Sequence, residues 1–230
     1  AKESLYLALE LLDRLDALSN GLLTDLGKRM ARMPLQPRLA RLVIEGESLK
    51  EGKRTALCAS LLSERDPLKR EKRDFEKPVV KHKSDSDVLD RLWALEEYSE
   101  NGHRHTVVGE LLTGPAKRIL QSAGQLAKQL RLKDESNKND EAIRRSLLVA
   151  FADRVCKRRE PGSKRALMVG GRGVVLTDDS AVSEDELFVA VELVESGKAL
   201  TKDGVWGFQV RDRFPDYGHW DLLPYVHNDG

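Results

Sequence analysis

At Asp153 the hydrophobic pattern of this chain changes period, and that change constrains the fold more than any other feature. Before it, apolar residues recur mostly every three or four positions. After it, short apolar runs are separated by glycine and proline turns. A chain written this way is α+β, with helices first and a small sheet after them. Its 230 residues suffice for one generous domain or two to three small ones.

The helical part divides at its caps and breakers. Leu5, Ala8, Leu9, Leu12 and Leu15 predict a helix over 4–18, closed by Asn20-Gly21 as a C-cap or turn. Thr24 is placed to cap a short helix from Asp25 to Met33, and Pro34 stops it. Pro37 suits the first turn of a third helix reaching about Glu47. Three short helices with tight turns fit a helix-turn-helix or winged-helix unit. Further helices are predicted over 53–63, 87–99, 107–112, 113–132 and 141–152. The stretch 64–83, dense in mixed charge and carrying two prolines, reads as an exposed connection, and 133–140 as a polar spacer.

Five strands are predicted at 154–160, 165–169, 173–177, 187–193 and 205–211, with turns at Pro161-Gly162 and Gly170-Gly171. Five short strands with a basic edge suggest a small oligonucleotide-binding (OB-type) β-barrel. The domain boundaries that follow are a winged helix over 1–47, a helical bundle over 48–140 containing the connection, an OB-type unit over 141–212 and a tail over 213–230 without clear period. Cys58 and Cys156, each in an apolar segment, read as two buried thiols of a cytosolic protein.

A net charge of +1 conceals a sharp asymmetry. Between Asp153 and Arg172 stand Arg154, Lys157, Arg158, Arg159, Lys164, Arg165 and Arg172 against Asp153 and Glu160. The stretch 173–196 has seven acids and neither Lys nor Arg. One small unit therefore carries a basic side fit for a polyanion.

Bond-making chemistry is not legible. A phosphate loop needs upstream glycine and a Lys-Ser/Thr pair, whereas Gly27-Lys28, Gly52-Lys53 and Gly197-Lys198 continue with Arg29, Arg54 and Ala199. Gly170-Gly171-Arg172-Gly173 reads as a turn between strands rather than a dinucleotide fingerprint. His103 and His105 lack a cysteine or acidic partner at ligand spacing, and no Gly-x-Ser-x-Gly elbow occurs. No catalytic residue, cofactor site or metal site is expected in this chain. No apolar run reaches 18 residues, so no membrane partner is expected.

The segment LTDLGKRMARMPLQPRLARLV, Leu23 to Val43, resembles the winged-helix signature of DEAH-type helicases. Two further stretches resemble the bacterial HrpB group of these enzymes: ASLLSERDP at Ala59–Pro67, and AFADRVCKRR at Ala150–Arg159 followed by Gly170-Gly171-Arg172-Gly173. The three matches keep their order across 4–194. The resemblance implies a winged helix, a ratchet-like bundle and an OB-type barrel stacked against two motor domains, together forming one wall of a single-stranded RNA channel. ATP and Mg²⁺ would belong to those motor domains, whose motifs this sequence lacks. The chain alone would then not be an enzyme, while the parent protein would be a cytoplasmic ATP-dependent helicase.

On that reading the partners are single-stranded RNA or DNA and the two motor domains of the same protein. The candidate phosphate contacts are Arg154, Lys157, Arg158, Arg159 and Arg172, with Lys117 and Arg118 on the bundle. A solvated basic strand edge is the competing reading of these residues. Reversing Arg158 and Arg159 to Glu is expected to lower RNA affinity without unfolding the barrel. Arg38 and Arg41 are expected to be salt-bridge partners on a helix surface. Two other functions compete: a protein-interaction scaffold independent of nucleic acid, and a stand-alone winged-helix DNA-binding regulator. The third helix, apolar and lightly charged, argues against the regulator.

Overall fold

A computed structural model describes residues 2–69, 83–133, 135–177, 180–182, 185–193 and 207–209. The tail from 213, and most of the charged connection, lie outside the described residues. Within them the chain is α+β, with seven α-helices leading into a five-stranded antiparallel sheet.

Helix α1 (Lys2–Arg14) is followed by strands β1 (Leu18–Ser19) and β2 (Leu22–Leu23). Asn20 and Gly21 have φ of 51° and 75°, as a tight two-residue hairpin turn demands, so this dipeptide turns a hairpin rather than capping a helix. Thr24 caps α2 (Asp25–Ala31) by accepting from the Gly27 amide at 2.9 Å. Pro37 occupies the first turn of α3 (Pro37–Ser48). Leu15, Ala17, Met30, Ala40 and Ile44 close a small core among these elements. The other side of α3, at Leu39, Leu42 and Val43, enters the main core.

That main core gathers α4 (Gly52–Ser63), α5 (Asp87–Asn101), α6 (Thr113–Gln129) and α7 (Asp140–Ala150). Ser86 caps α5, Asn139 caps α7, and Gly102 ends α5 in the left-handed region at φ 71°. Glu51, fully buried, ties down the polar spacer before α7. Its carboxylate accepts from the amides of Asn137 at 3.2 Å and Asn139 at 2.8 Å and from the Ser136 hydroxyl.

One predicted helix is a hairpin instead. Residues 107–112 contribute the turn and second strand of β3 (His105–Thr106) and β4 (Gly109–Glu110). Gly109 at φ 140° cannot continue a helix, and adjacent Val107 and Val108 point opposite ways, 62% and 8% exposed. The first residues after α4 fold onto this hairpin. The Lys69 amide donates to the Glu110 carbonyl at 2.8 Å, and Asp66 takes a bidentate pair from Arg91 at 3.0 and 2.7 Å.

A 3₁₀ turn at Ala152–Arg154 leads into β5 (Val155–Arg158), β6 (Arg165–Met168), β7 (Arg172–Val175), β8 (Leu187–Ala190) and β9 (Gly207–Gln209). All five lie inside or within one residue of the predicted strands. Their order is β7-β6-β5-β8-β9, and no pairing joins β7 to β9 among the described residues. The sheet described is thus open rather than the expected barrel. Closure needs edge strands tilted until their ladders meet, and strands of three and four residues leave β9 and β7 on opposite edges.

Cys58 sits in the helical core and Cys156 in the sheet core, both fully buried. Burial pushes each thiol up to about 12. Neither thiolate is then populated near neutral pH. A disulfide reagent should therefore label no thiol in the native chain and two after denaturation. Rapid native labelling of either would contradict this packing.

Candidate nucleic-acid interface

The register of the sheet decides which basic residues can meet a ligand. Lys157 pairs with Leu167 and with Leu187, and Leu167 pairs with Gly173, so these four share one face. One row further, the Arg159 amide donates to the Arg165 carbonyl at 3.1 Å, which places both arginines on that same face. In the opposite direction the row Val169, Val155 and Val189 packs on the helical core. One sheet face is therefore apolar where it meets the helices and basic where it leaves them.

The other face holds Cys156, Ala166, Met168, Val174, Phe188 and Ala190 in a second core. Arg158 belongs there. It is 5% exposed and donates through Nε to the Asp185 carbonyl at 2.7 Å, through Nη2 to the Val182 carbonyl at 2.9 Å and through Nη1 to the Ser163 carbonyl. Its guanidinium also lies 5.4 Å from the Phe188 ring centroid. Burial lowers its pKa, and the Asp185 charge only partly opposes this. Arg158 is thus a buried structural arginine, and the expectation of a phosphate contact there is corrected. Strand alternation turns it away from the side that Lys157 and Arg159 share.

Lys157, Arg159 and Arg172 are exposed, and Lys157 faces Glu186 at 3.4 Å. Arg172 pairs with Met168, so it stands at the rim of the opposite face. Arg165, absent from the candidates above, joins Lys157 and Arg159. Only the cross-strand register reveals it.

Arg154 has a different setting. Its Nη1 donates to the Val191 carbonyl at 2.8 Å, and its guanidinium lies 5.5 Å from the Phe151 ring. Arg38 of α3 covers the same ring at 5.4 Å and makes a bidentate pair with Asp153 at 2.5 and 2.7 Å. Burial raises the Asp153 carboxyl, but the hydrogen bond and charge of Arg38, with Arg154 nearby, hold it below its ordinary value. Burial and the charge of Arg38 lower the pKa of Arg154. Arg41 pairs with Glu45 at 2.9 Å, so both α3 arginines are salt-bridge partners as expected, though far more buried than a helix surface.

On the bundle, Lys117 and Arg118 are exposed in the second turn of α6, and Arg118 lies 3.7 Å from Glu64. The β3–β4 hairpin adds Arg104 beside Thr113, at 3.4 Å from its hydroxyl. These residues and the sheet face form two separate basic patches.

Comparison with known proteins places this arrangement. The family model of the helicase associated domain (HA2), winged-helix, matches residues 8–35, from within α1 through the β1–β2 hairpin and α2. The crystal structure of the E. coli DExH-box NTPase HrpB superposes with a TM-score of 0.62 at 23% identity, covering 96% of this chain and 22% of that one. A second crystal structure, of the Escherichia coli DEAH/RHA helicase HrpB, gives a TM-score of 0.60 at 24% identity over 91% of this chain and 22% of that one. The chain resembles a winged-helix-bearing, helicase-associated region of HrpB and spans about a fifth of the HrpB chains it matches.

Proposed function

We propose that this chain is an accessory region of an ATP-dependent RNA helicase, forming part of a single-stranded nucleic-acid channel and coupling it to motor domains that hold ATP and Mg²⁺. The observation that carries the reading is the HrpB likeness, which runs through 96% of the chain. The units in this reading are a winged helix over 1–47, a bundle over 48–140 and an OB-type unit over 141–212. The strand order β7-β6-β5-β8-β9 supports the last, because it is the order of an OB-type barrel opened between its third and fifth strands.

Phosphate contacts are assigned to Lys157, Arg159 and Arg165 on the sheet face, with the exposed Arg172 at the rim of the opposite face as a further candidate. Lys117 and Arg118 on α6 are assigned to a second, separate basic patch, and the partly exposed Arg154 is a further candidate. Coupling to the motor domains is assigned to α1. Leu5, Tyr6 and Leu7 there are 61%, 68% and 57% exposed, an apolar surface that a solvated helix end does not need. The stand-alone DNA-reading alternative loses support, because Leu39 to Gly46 of α3 are all buried, leaving no face for a groove.

Salt dependence tests the reading. Fluorescence anisotropy with labelled oligo-uridine should show log affinity falling linearly with log salt, by about 0.7 for each phosphate neutralised on a single strand. Lys157→Glu with Arg159→Glu should lower the slope by about 1.4, two such contacts. Absent or salt-independent binding would remove the channel assignment and favour a protein-interaction scaffold.

A further inference from the structure

Gly173 has no structural reason to be glycine. Its φ lies outside the left-handed range, and a β-carbon built there would meet nothing nearer than Arg159 Nη2 at 3.9 Å. Several glycines are required by the backbone or by close packing, whereas Gly173, like Gly124 on the exposed side of α6, is open. Gly170 and Gly171 turn the chain at φ 81° and 80°, while a β-carbon at Gly27 or Gly46 would lie 2.1 Å from its neighbour. Glycine weakens a strand interior and commonly marks close approach by a ligand.

What Gly173 leaves open is a shallow bed. Leu167 beside it is 38% exposed, in the middle of a sheet row that continues to Lys157 and the half-buried Leu187. One row away, about 6.6 Å along the strands, stand Arg159 and Arg165. The Arg159 guanidinium reaches across the sheet to the edge of the Gly173 space. An apolar floor one residue wide is thus bordered by a row that carries two arginines. Glu186, the one acid placed against this row by a described contact, lies beside Lys157 on the far side from Gly173.

We propose that this face is a nucleobase bed: one unstacked base of a single strand lies over Gly173 against Leu167, and its flanking phosphates rest on Arg159 and Arg165. The inference rests on the helicase-region reading and specifies how its strand is held. A duplex hides the base face that such a bed needs, so the ligand is single-stranded. Contact through the face of a base is tolerant of sequence, as a channel wall requires.

The test uses the full 230-residue chain, oligo-uridine, and an abasic oligomer of equal length. Gly173→Val adds bulk suited to a strand and changes no charge. It should leave the salt slope unchanged and the melting temperature at or above that of the unaltered chain, while weakening oligo-uridine binding about tenfold, within the range for loss of one base contact. Leu167→Ser, at an exposed position, should weaken it in the same direction. The unaltered chain should prefer oligo-uridine to the abasic strand, and both variants should lose that preference. If both variants bind oligo-uridine like the unaltered chain while Lys157→Glu with Arg159→Glu still lowers the salt slope, the bed is overturned and the channel reading stands. If the unaltered chain shows no salt-dependent binding, both are overturned.

Discussion

Arg158→Glu should melt the sheet unit well below the unaltered chain, whereas Arg159→Glu, one residue on, should leave the melting curve in place. This reverses the expectation that both substitutions act on RNA alone. Arg158 is buried and supplies three backbone carbonyls with donors. Glutamate would set a carboxylate against those carbonyls, leaving every acceptor without its donor. Removing one partner from a buried charged network costs about 3–5 kcal/mol, against a total stability of about 5–15 kcal/mol. In a chain of this size that corresponds to a fall in Tm of about 6–20 °C. Arg159 is exposed, and reversing it touches only the ligand side. Thermal melts followed by circular dichroism decide the matter, and equal curves for the two variants would refute the assignment of Arg158.

Gly27→Ala should cost about 2 kcal/mol or more, although alanine favours a helix over glycine by about 1 kcal/mol. The added β-carbon would lie 2.1 Å from the Ala17 carbonyl oxygen and 2.9 Å from Leu23 Cδ1. That carbonyl cannot retreat, because it accepts from the Thr24 amide at 3.0 Å and the Thr24 hydroxyl at 3.2 Å. Gly124→Ala in α6 is the control. Nothing lies within 4 Å of its new β-carbon, so the same exchange should stabilise by about 0.5–1 kcal/mol. Denaturant midpoints measure both, and a Gly27→Ala midpoint at or above that of the unaltered chain would show that α2 does not pack as described.

Much of this architecture was legible because the sequence punctuates it. Thr24, Pro34 and Pro37 mark helix ends by local chemistry, and glycine turns separate the strands. The hairpin at 105–110 was not legible: two-residue strands are too short to show a period, and the apolar residues around it mimic a helical face. Arg158 could have been found, since Lys157-Arg158-Arg159 in one strand cannot present all three cations to one side. Arg165 and the role of Gly173 could not, because they depend on which strands pair and in what register. Contacts such as Asp87 with the Ser180 hydroxyl and the Ala181 amide, at 2.6 and 2.8 Å, link residues 93 and 94 positions apart and leave no local trace.

The Phe151 ring, approached by the guanidiniums of both Arg38 and Arg154, has a mechanical consequence. It is clamped where α3 meets the entrance to β5, and the Arg38–Asp153 pair bolts the same joint. Between α7 and β5 the chain has only a single 3₁₀ turn, and the Asp87 contacts provide a second anchor. The sheet is thus tied to α3 at one point and to α5 at another, so neither helix can turn without straining a contact to it.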